Sequence, residues 1–152
     1  MDAQSLGFAD RSFDTVILKE SLHHLVHETD IKRVMEELVR VTRYRVIVFD
    51  PNPTRLLRFC RSWIGHEDPE CPFSEAKRWF EAYRFHCSTP LFLEGFALAL
   101  SGGYIGREWI PPWKSLYPLC LKADQAYNAF VNFCGGGEQL LWRYLFYADL
   151  TA

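Results

Sequence analysis

Phe13-Asp14-Thr15-Val16-Ile17-Leu18-Lys19-Glu20 is the stretch that decides the fold. Its centre, residues 15–18, is a short β-branched and apolar run closed by a charged pair, the pattern of a buried strand. From Thr29 the period changes. Ile31, Val34, Met35, Leu38 and Val41 fall on one helical stripe, and Lys32, Arg33, Glu36, Glu37 and Arg40 lie mostly elsewhere. Thr29 or Asp30 caps this helix, and Glu36 with Arg40 has the i,i+4 spacing of a helical ion pair. Arg45-Val46-Ile47-Val48-Phe49-Asp50 then forms a second buried strand, stopped by Pro51 and Pro53, which have no backbone N–H for a ladder. Strand, helix, strand in this order implies a parallel pair with a right-handed crossover, and so an α/β fold.

Downstream, residues 54–64 form a helix with Leu56, Leu57, Cys60, Trp63 and Ile64 facing inward and Arg55, Arg58 and Arg61 outward. After a polar loop at 66–72, Ser74 is the expected N-cap of a helix through Tyr83, with Ala76, Trp79, Phe80 and Tyr83 at helical spacing. Residues 85–88 read as a strand and 115–133 as a helix kinked at Pro118. Residues 135–137 are a glycine turn, and 140–148 a last strand. No internal repeat interrupts this series.

Composition excludes several classes. The 152 residues carry 17 Lys plus Arg against 19 Asp plus Glu, which gives no basic excess to attract nucleic acid. Cys60, Cys71, Cys87, Cys120 and Cys134 contain no C-x-x-C pair and read as reduced thiols of a cytoplasmic protein. Residues 1–20 hold six charged side chains and no signal-peptide pattern. Residues 89–106 contain Glu94 and the Gly102-Gly103 pair, and fall short of the ~20 apolar residues of a membrane span.

Several linked motifs carry a resemblance. Asp2-Ala3, Leu6-Gly7-Phe8, Ser12-Phe13-Asp14, the strand Val16-Ile17-Leu18, the turn Leu22-His23-His24-Leu25, Glu37-Leu38-Val39-Arg40-Val41 and Asp50-Pro51 stand in this order. Together they resemble the class I S-adenosylmethionine-dependent methyltransferases of type 11. The resemblance covers residues 2–51 well, and is weaker at residues 100–104 and 142–146. It implies S-adenosylmethionine as cofactor and a Rossmann-like sheet of strand order 3-2-1-4-5-7-6. The family's glycine-rich cofactor loop and ribose-binding acidic residue have no counterpart in the 152 residues; residues 102–106 and 135–137 are turns.

The expectation is therefore the C-terminal portion of such an enzyme, inactive alone. It would be a single truncated domain, with core motifs in 1–53 and substrate-side helices and terminal strands in 54–152. About four strands should remain, the last ones mixed or antiparallel, with the strand at 15–18 at an edge open to a second copy.

The resemblance implies cofactor contacts at Asp2, whose carboxylate accepts from the adenine amino group, and at the Ala3 backbone. Lys19 and Glu20 join them at the carboxyl end of a parallel strand, where open α/β sheets bind ligands. His24 is the expected catalytic base and Asp50 a substrate contact at the same edge. The acceptor would be a small or lipid-linked molecule. No metal is expected: His23 and His27 share a helix face, but no Glu stands between them as in H-E-x-x-H and no third ligand is evident. Two readings from other classes stand beside the enzyme. One is a non-catalytic interaction module or degenerate remnant. The other is a peripheral membrane protein using residues 91–100 and 109–117.

Overall fold

A computed structural model describes residues 2–65, 68–94 and 116–151. In chain order the elements are β1 (Phe13–Lys19), α1 (Leu22–Glu28), α2 (Ile31–Val41), β2 (Thr42–Pro51), α3 (Arg55–Ile64), α4 (Phe73–Ala82) and β3 (Phe85–Cys87). After these come β4 (Leu91–Leu93), α5 (Tyr117–Phe133), α6 (Gly137–Leu140) and β5 (Arg143–Leu150). The strands make one five-stranded sheet in the order β1-β2-β5-β3, with the short β4 also pairing with β5. β1 and β2 are parallel, with Val16 opposite Val46 and Leu18 opposite Val48, while β3 and β5 are antiparallel. This is the order 4-5-7-6 that the family resemblance implies. β4, three residues long, is an addition that the sequence pattern does not announce.

The chain folds as two compact units, the first made of Met1–Pro53, Asp68–Leu91 and Tyr144–Ala152 and the second of Thr54–Glu67 and Phe92–Arg143. In the first, Val34, Met35, Leu38, Val41, Val46 and Val48 are buried, as the helical stripe and the second strand foretold, and Leu22 is buried with them. Phe80, Phe85, Phe73 and Phe146 add edge-to-face ring contacts with centroids 5.2 to 5.5 Å apart. Such pairs contribute about 0.5–1.5 kcal/mol each beyond their buried area. Arg45 ties β2 to β5 by two bonds to Asp149, at 2.6 and 3.0 Å, and lies over the Tyr147 ring. That pairing raises the guanidinium pKa and lowers the carboxyl's.

In the second unit, Thr54 Oγ1 accepts from Leu57 N–H at the start of α3, and Gly65 ends the helix at φ +67°. Gly137 sits where a Cβ would lie 2.7 Å from Asn132 Oδ1 and 2.8 Å from Phe92 Cβ, so only glycine fits there.

Four expectations give way. Leu22-His23-His24-Leu25 belongs to a helix, α1, and not to a turn. Pro72, not Ser74, is the N-cap residue of α4, and no side chain caps that helix. Pro118 lies in the first turn of α5, where its missing N–H breaks no helical bond, and so has no reason to kink the helix. β1 is largely exposed, because as the edge strand it is covered on one side only; Ile17 is 66% accessible.

A fifth difference carries a pH dependence. Arg40 pairs with Glu37 rather than Glu36, through Nε to Oε1 at 2.7 Å and Nη2 to Oε2 at 2.8 Å. The same guanidinium donates to the Leu6 and Phe8 carbonyls and to Asp10. Glu37 Oε2 also accepts from Leu6 N–H at 2.6 Å. The segment before β1 is thus laced to α2. The hydrogen bond from Arg40, then that from Leu6, holds the Glu37 carboxyl at about 2, against an ordinary 4.5. Between those values the unfolded chain binds the extra proton, so this contribution is complete above pH 4.5 and is lost as pH falls toward 2. Glu37→Gln should therefore be less stable than the native chain in urea near neutral pH. The gap should narrow as the pH is lowered through this window, and a gap constant with pH would refute the assignment.

Candidate functional site

Because β1 and β2 are parallel, both carboxyl ends reach the same edge of the sheet. Asp50 stands there, fully buried near the end of β2. Its Oδ1 accepts from Ser21 N–H (3.0 Å) and Leu22 N–H (3.2 Å), and its Oδ2 from His23 N–H (3.0 Å). A helix start leaves such N–H groups unpaired and carries partial positive charge, so a carboxylate held against it is doubly favoured. Ser21, the N-cap residue itself, makes no side-chain capping bond, so the cap of α1 comes from a neighbouring strand.

The same carboxylate fixes a histidine. Asp50 Oδ2 lies 2.9 Å from His23 Nδ1, and since a carboxylate only accepts, Nδ1 carries a proton. Asp50 was expected to touch substrate; in the structure its oxygens are taken up by α1. His24, the next residue, is partly exposed and bonds through Nδ1 to Glu28 Oε1 at 2.8 Å, one helical turn on. By the same argument its Nδ1 is the donor to Glu28. The two rings lie side by side, centroids 4.2 Å apart.

Lys19 and Glu20 are exposed at the end of β1. Glu20 has φ +50°, a left-handed conformation that is uncommon for a residue with a Cβ, and its N–H bonds to Phe49 O at 2.8 Å. Asp2 Oδ1 accepts from Gln4 N–H in a local turn, and Ala3 lines an apolar groove of about 320 Å³. Leu6, Phe13, Val16 and Leu38 line the same groove along β1 and α2. The structure thus brings His24 and Asp50 together at the sheet edge and puts Ala3 beside the groove. Residues 95–115, including part of the proposed membrane-contacting segments, lie outside the described residues.

Residues 68–72 of the first unit also reach this edge. His27 Nε2 donates to Glu70 O at 2.7 Å, and Tyr144 Oη donates to Cys71 O at 2.9 Å. Burial, with Asp50 and Glu75 nearby, pushes the Cys71 thiol up to about 12, so it stays protonated. Asp68 lies where one of its carboxylate oxygens and one nitrogen of each of His23 and His24 are within 4.8 Å of one another. Sequence reasoning missed Glu28 and Asp68. The i,i+4 spacing of His24 and Glu28 is a signal for the first; nothing local marks the second, which arrives over 40 residues later.

Comparison with known proteins places this architecture. Residues 1–49 match the family model described as a methyltransferase domain. Among solved structures, the YcgJ protein of Bacillus subtilis is similar at 19% identity and a TM-score of 0.54, over 99% of this chain and 69% of that one. An S-adenosylmethionine-dependent methyltransferase from Archaeoglobus fulgidus is similar at 17% identity and a TM-score of 0.59, over 98% of this chain and 65% of that one. A geranyl diphosphate methyltransferase, solved with geranyl diphosphate and sinefungin, gives 11% identity and a TM-score of 0.56, over 99% of this chain and 51% of that one. No curated protein matches. The fold is that of the class I S-adenosylmethionine-dependent methyltransferases, and the chain spans from about half to just over two thirds of these longer structures. Among the described residues, no helix is long and apolar enough to cross a membrane.

The Asp50 cap predicts a large, local cost. Asp50→Ala leaves three backbone N–H groups and the His23 ring without their acceptor, and should lower unfolding stability by about 3 kcal/mol in denaturant titration. A loss below about 1 kcal/mol would mean that water or another group replaces the carboxylate.

Proposed function

We propose that this chain is the acceptor-side part of a methyltransferase that uses S-adenosylmethionine and acts on a small or lipid-linked molecule. The observation that carries this is the Asp50-held start of α1, which presents His24 at the carboxyl edge of β1 and β2, in a chain whose first 49 residues match methyltransferases. The residues fit the cofactor at one end only. Asp2, Ala3 and the apolar groove suit an adenosine, with Lys19 and Glu20 near the sheet edge, while the 152 residues hold no glycine-rich loop for the methionine end.

Bound, the cofactor supplies an electrophilic methyl group, and displacement at it needs alignment and exclusion of water more than covalent help. His24 Nε2, its tautomer set by Glu28, takes the acceptor's proton where the nucleophile carries one. On this reading the described residues hold the adenosine end of the cofactor alone, and the chain by itself is inactive.

Calorimetric titration with adenosine and with S-adenosylhomocysteine tests this reading. The expected result is weak binding of both at similar affinity, lost in Asp2→Ala. S-adenosylhomocysteine binding far more tightly than adenosine would overturn the half-site and bring in a methionine-end site. No binding of either by a folded sample would favour the second reading, a non-catalytic interaction module.

One observation supports that second reading. β1 is a strand at the end of the sheet with Ile17 exposed and an apolar groove beside it, and such an edge pairs readily with another chain. If the edge joins two copies, Ile17→Lys should shift the chain from dimer to monomer in sedimentation with its circular dichroism unchanged. An unaltered oligomeric state would exclude this edge as the contact.

A further inference from the structure

We infer that His23, His24 and Asp68 form a binding site for one divalent first-row transition ion. This reaches beyond the methyl-transfer reading, and it needs neither cofactor nor acceptor.

The geometry converges from two separate segments. His23 and His24 sit in the first turn of α1, and Asp68 comes from the loop pinned by the His27–Glu70 and Tyr144–Cys71 bonds. One ligand atom from each lies within 4.8 Å of the others, close enough for small side-chain rotations to bring all three to one ion. The donor set is two neutral imidazoles and one carboxylate, which suits zinc, cobalt, nickel or iron better than calcium or magnesium. Three protein ligands leave further coordination positions open.

The arrangement behind the ligands is more specific than their proximity. A metal-binding histidine usually donates its other ring N–H to a carboxylate or carbonyl, which fixes the tautomer and strengthens the ligating nitrogen. Here both do so: His23 Nδ1 to Asp50 at 2.9 Å and His24 Nδ1 to Glu28 at 2.8 Å. Neither Nε2 hydrogen-bonds to a described residue, so in the neutral ring each is open to an ion. His23 is 3% accessible, and a buried imidazole held in one tautomer by a buried carboxylate is set in place before any ion arrives. Asp50 and Glu28 thus place one carboxylate behind each imidazole. The pair His23 and His27, four apart in sequence, is not the one used: His27 Nε2 is spent on the Glu70 carbonyl. With an ion bound, His24 is a ligand and not a base, and an acceptor oxygen on the ion would lose its proton more readily through the ion's charge.

The test is a Co²⁺ titration of the reduced 152-residue chain, followed by its visible spectrum, alongside a Zn²⁺ titration followed by the ¹⁵N resonances of the histidine rings. Saturation at one ion per chain is expected, with nitrogen and oxygen ligand-field bands and no intense thiolate charge-transfer band. The ring nitrogens of His23 and His24 should shift and those of His27 and His86 stay. His24→Ala and Asp68→Asn should each weaken binding more than tenfold, and Glu28→Gln by about tenfold. Absence of saturable binding, a thiolate band, or an affinity unchanged in both ligand variants would overturn the site. The ring resonances of the native chain decide the matter even if a variant fails to fold. Failure of adenosine to bind would leave this result untouched.

Discussion

A single carboxylate organises the ligand edge of this molecule. Asp50 is carried there by β2, a strand buried by Val46 and Val48, and it satisfies the start of a helix that belongs to the preceding strand. Without it α1 would begin with unpaired N–H groups next to a buried imidazole. With it, the direction of α1, the tautomer of His23 and the placement of His24 all follow from one residue. The buried charge is acceptable because each of its oxygens receives hydrogen bonds from the protein.

The N-terminal segment is anchored on a comparable principle at the other side of α2. Arg40 gathers two backbone carbonyls and two carboxylates around one planar guanidinium, and Glu37 returns a bond to Leu6 N–H. A segment of irregular backbone, with Arg11 at φ +51°, is thereby fixed without secondary structure of its own. Ala3 and Leu6 reach the groove because of this anchoring.

The parts of the fold legible in the sequence are those set by local periodicity. The stripe of Ile31, Val34, Met35, Leu38 and Val41 and the run Val46-Ile47-Val48 produce the buried faces they announce. The parts that were not legible depend on distant partners. Leu22–Glu28 is too short to show a helical period, and its cap stands 27 to 29 residues away. The exposure of β1 is set by its place in the sheet, which a β-branched run cannot reveal. The motif singled out His24 in the sequence, whereas the bonds of Asp50 to α1 and the approach of Asp68 to the two histidines come from tertiary geometry. A carboxylate at a strand end looks the same in sequence whether it meets a ligand or a helix.

The junction between α2 and β2 has no linker: the helix ends at Val41 and the strand begins at Thr42, whose N–H still bonds to Leu38 O. Side chains alternate along β2, so one residue inserted there and not absorbed by the register shift opposite Phe13–Thr15 would turn its buried face outward and swing Asp50 away from α1. A change of length at this point therefore has to be absorbed at once, before the buried part of the strand begins. Insertions and deletions that diversify such a protein have to accumulate elsewhere, in connections where a change of length shifts no register.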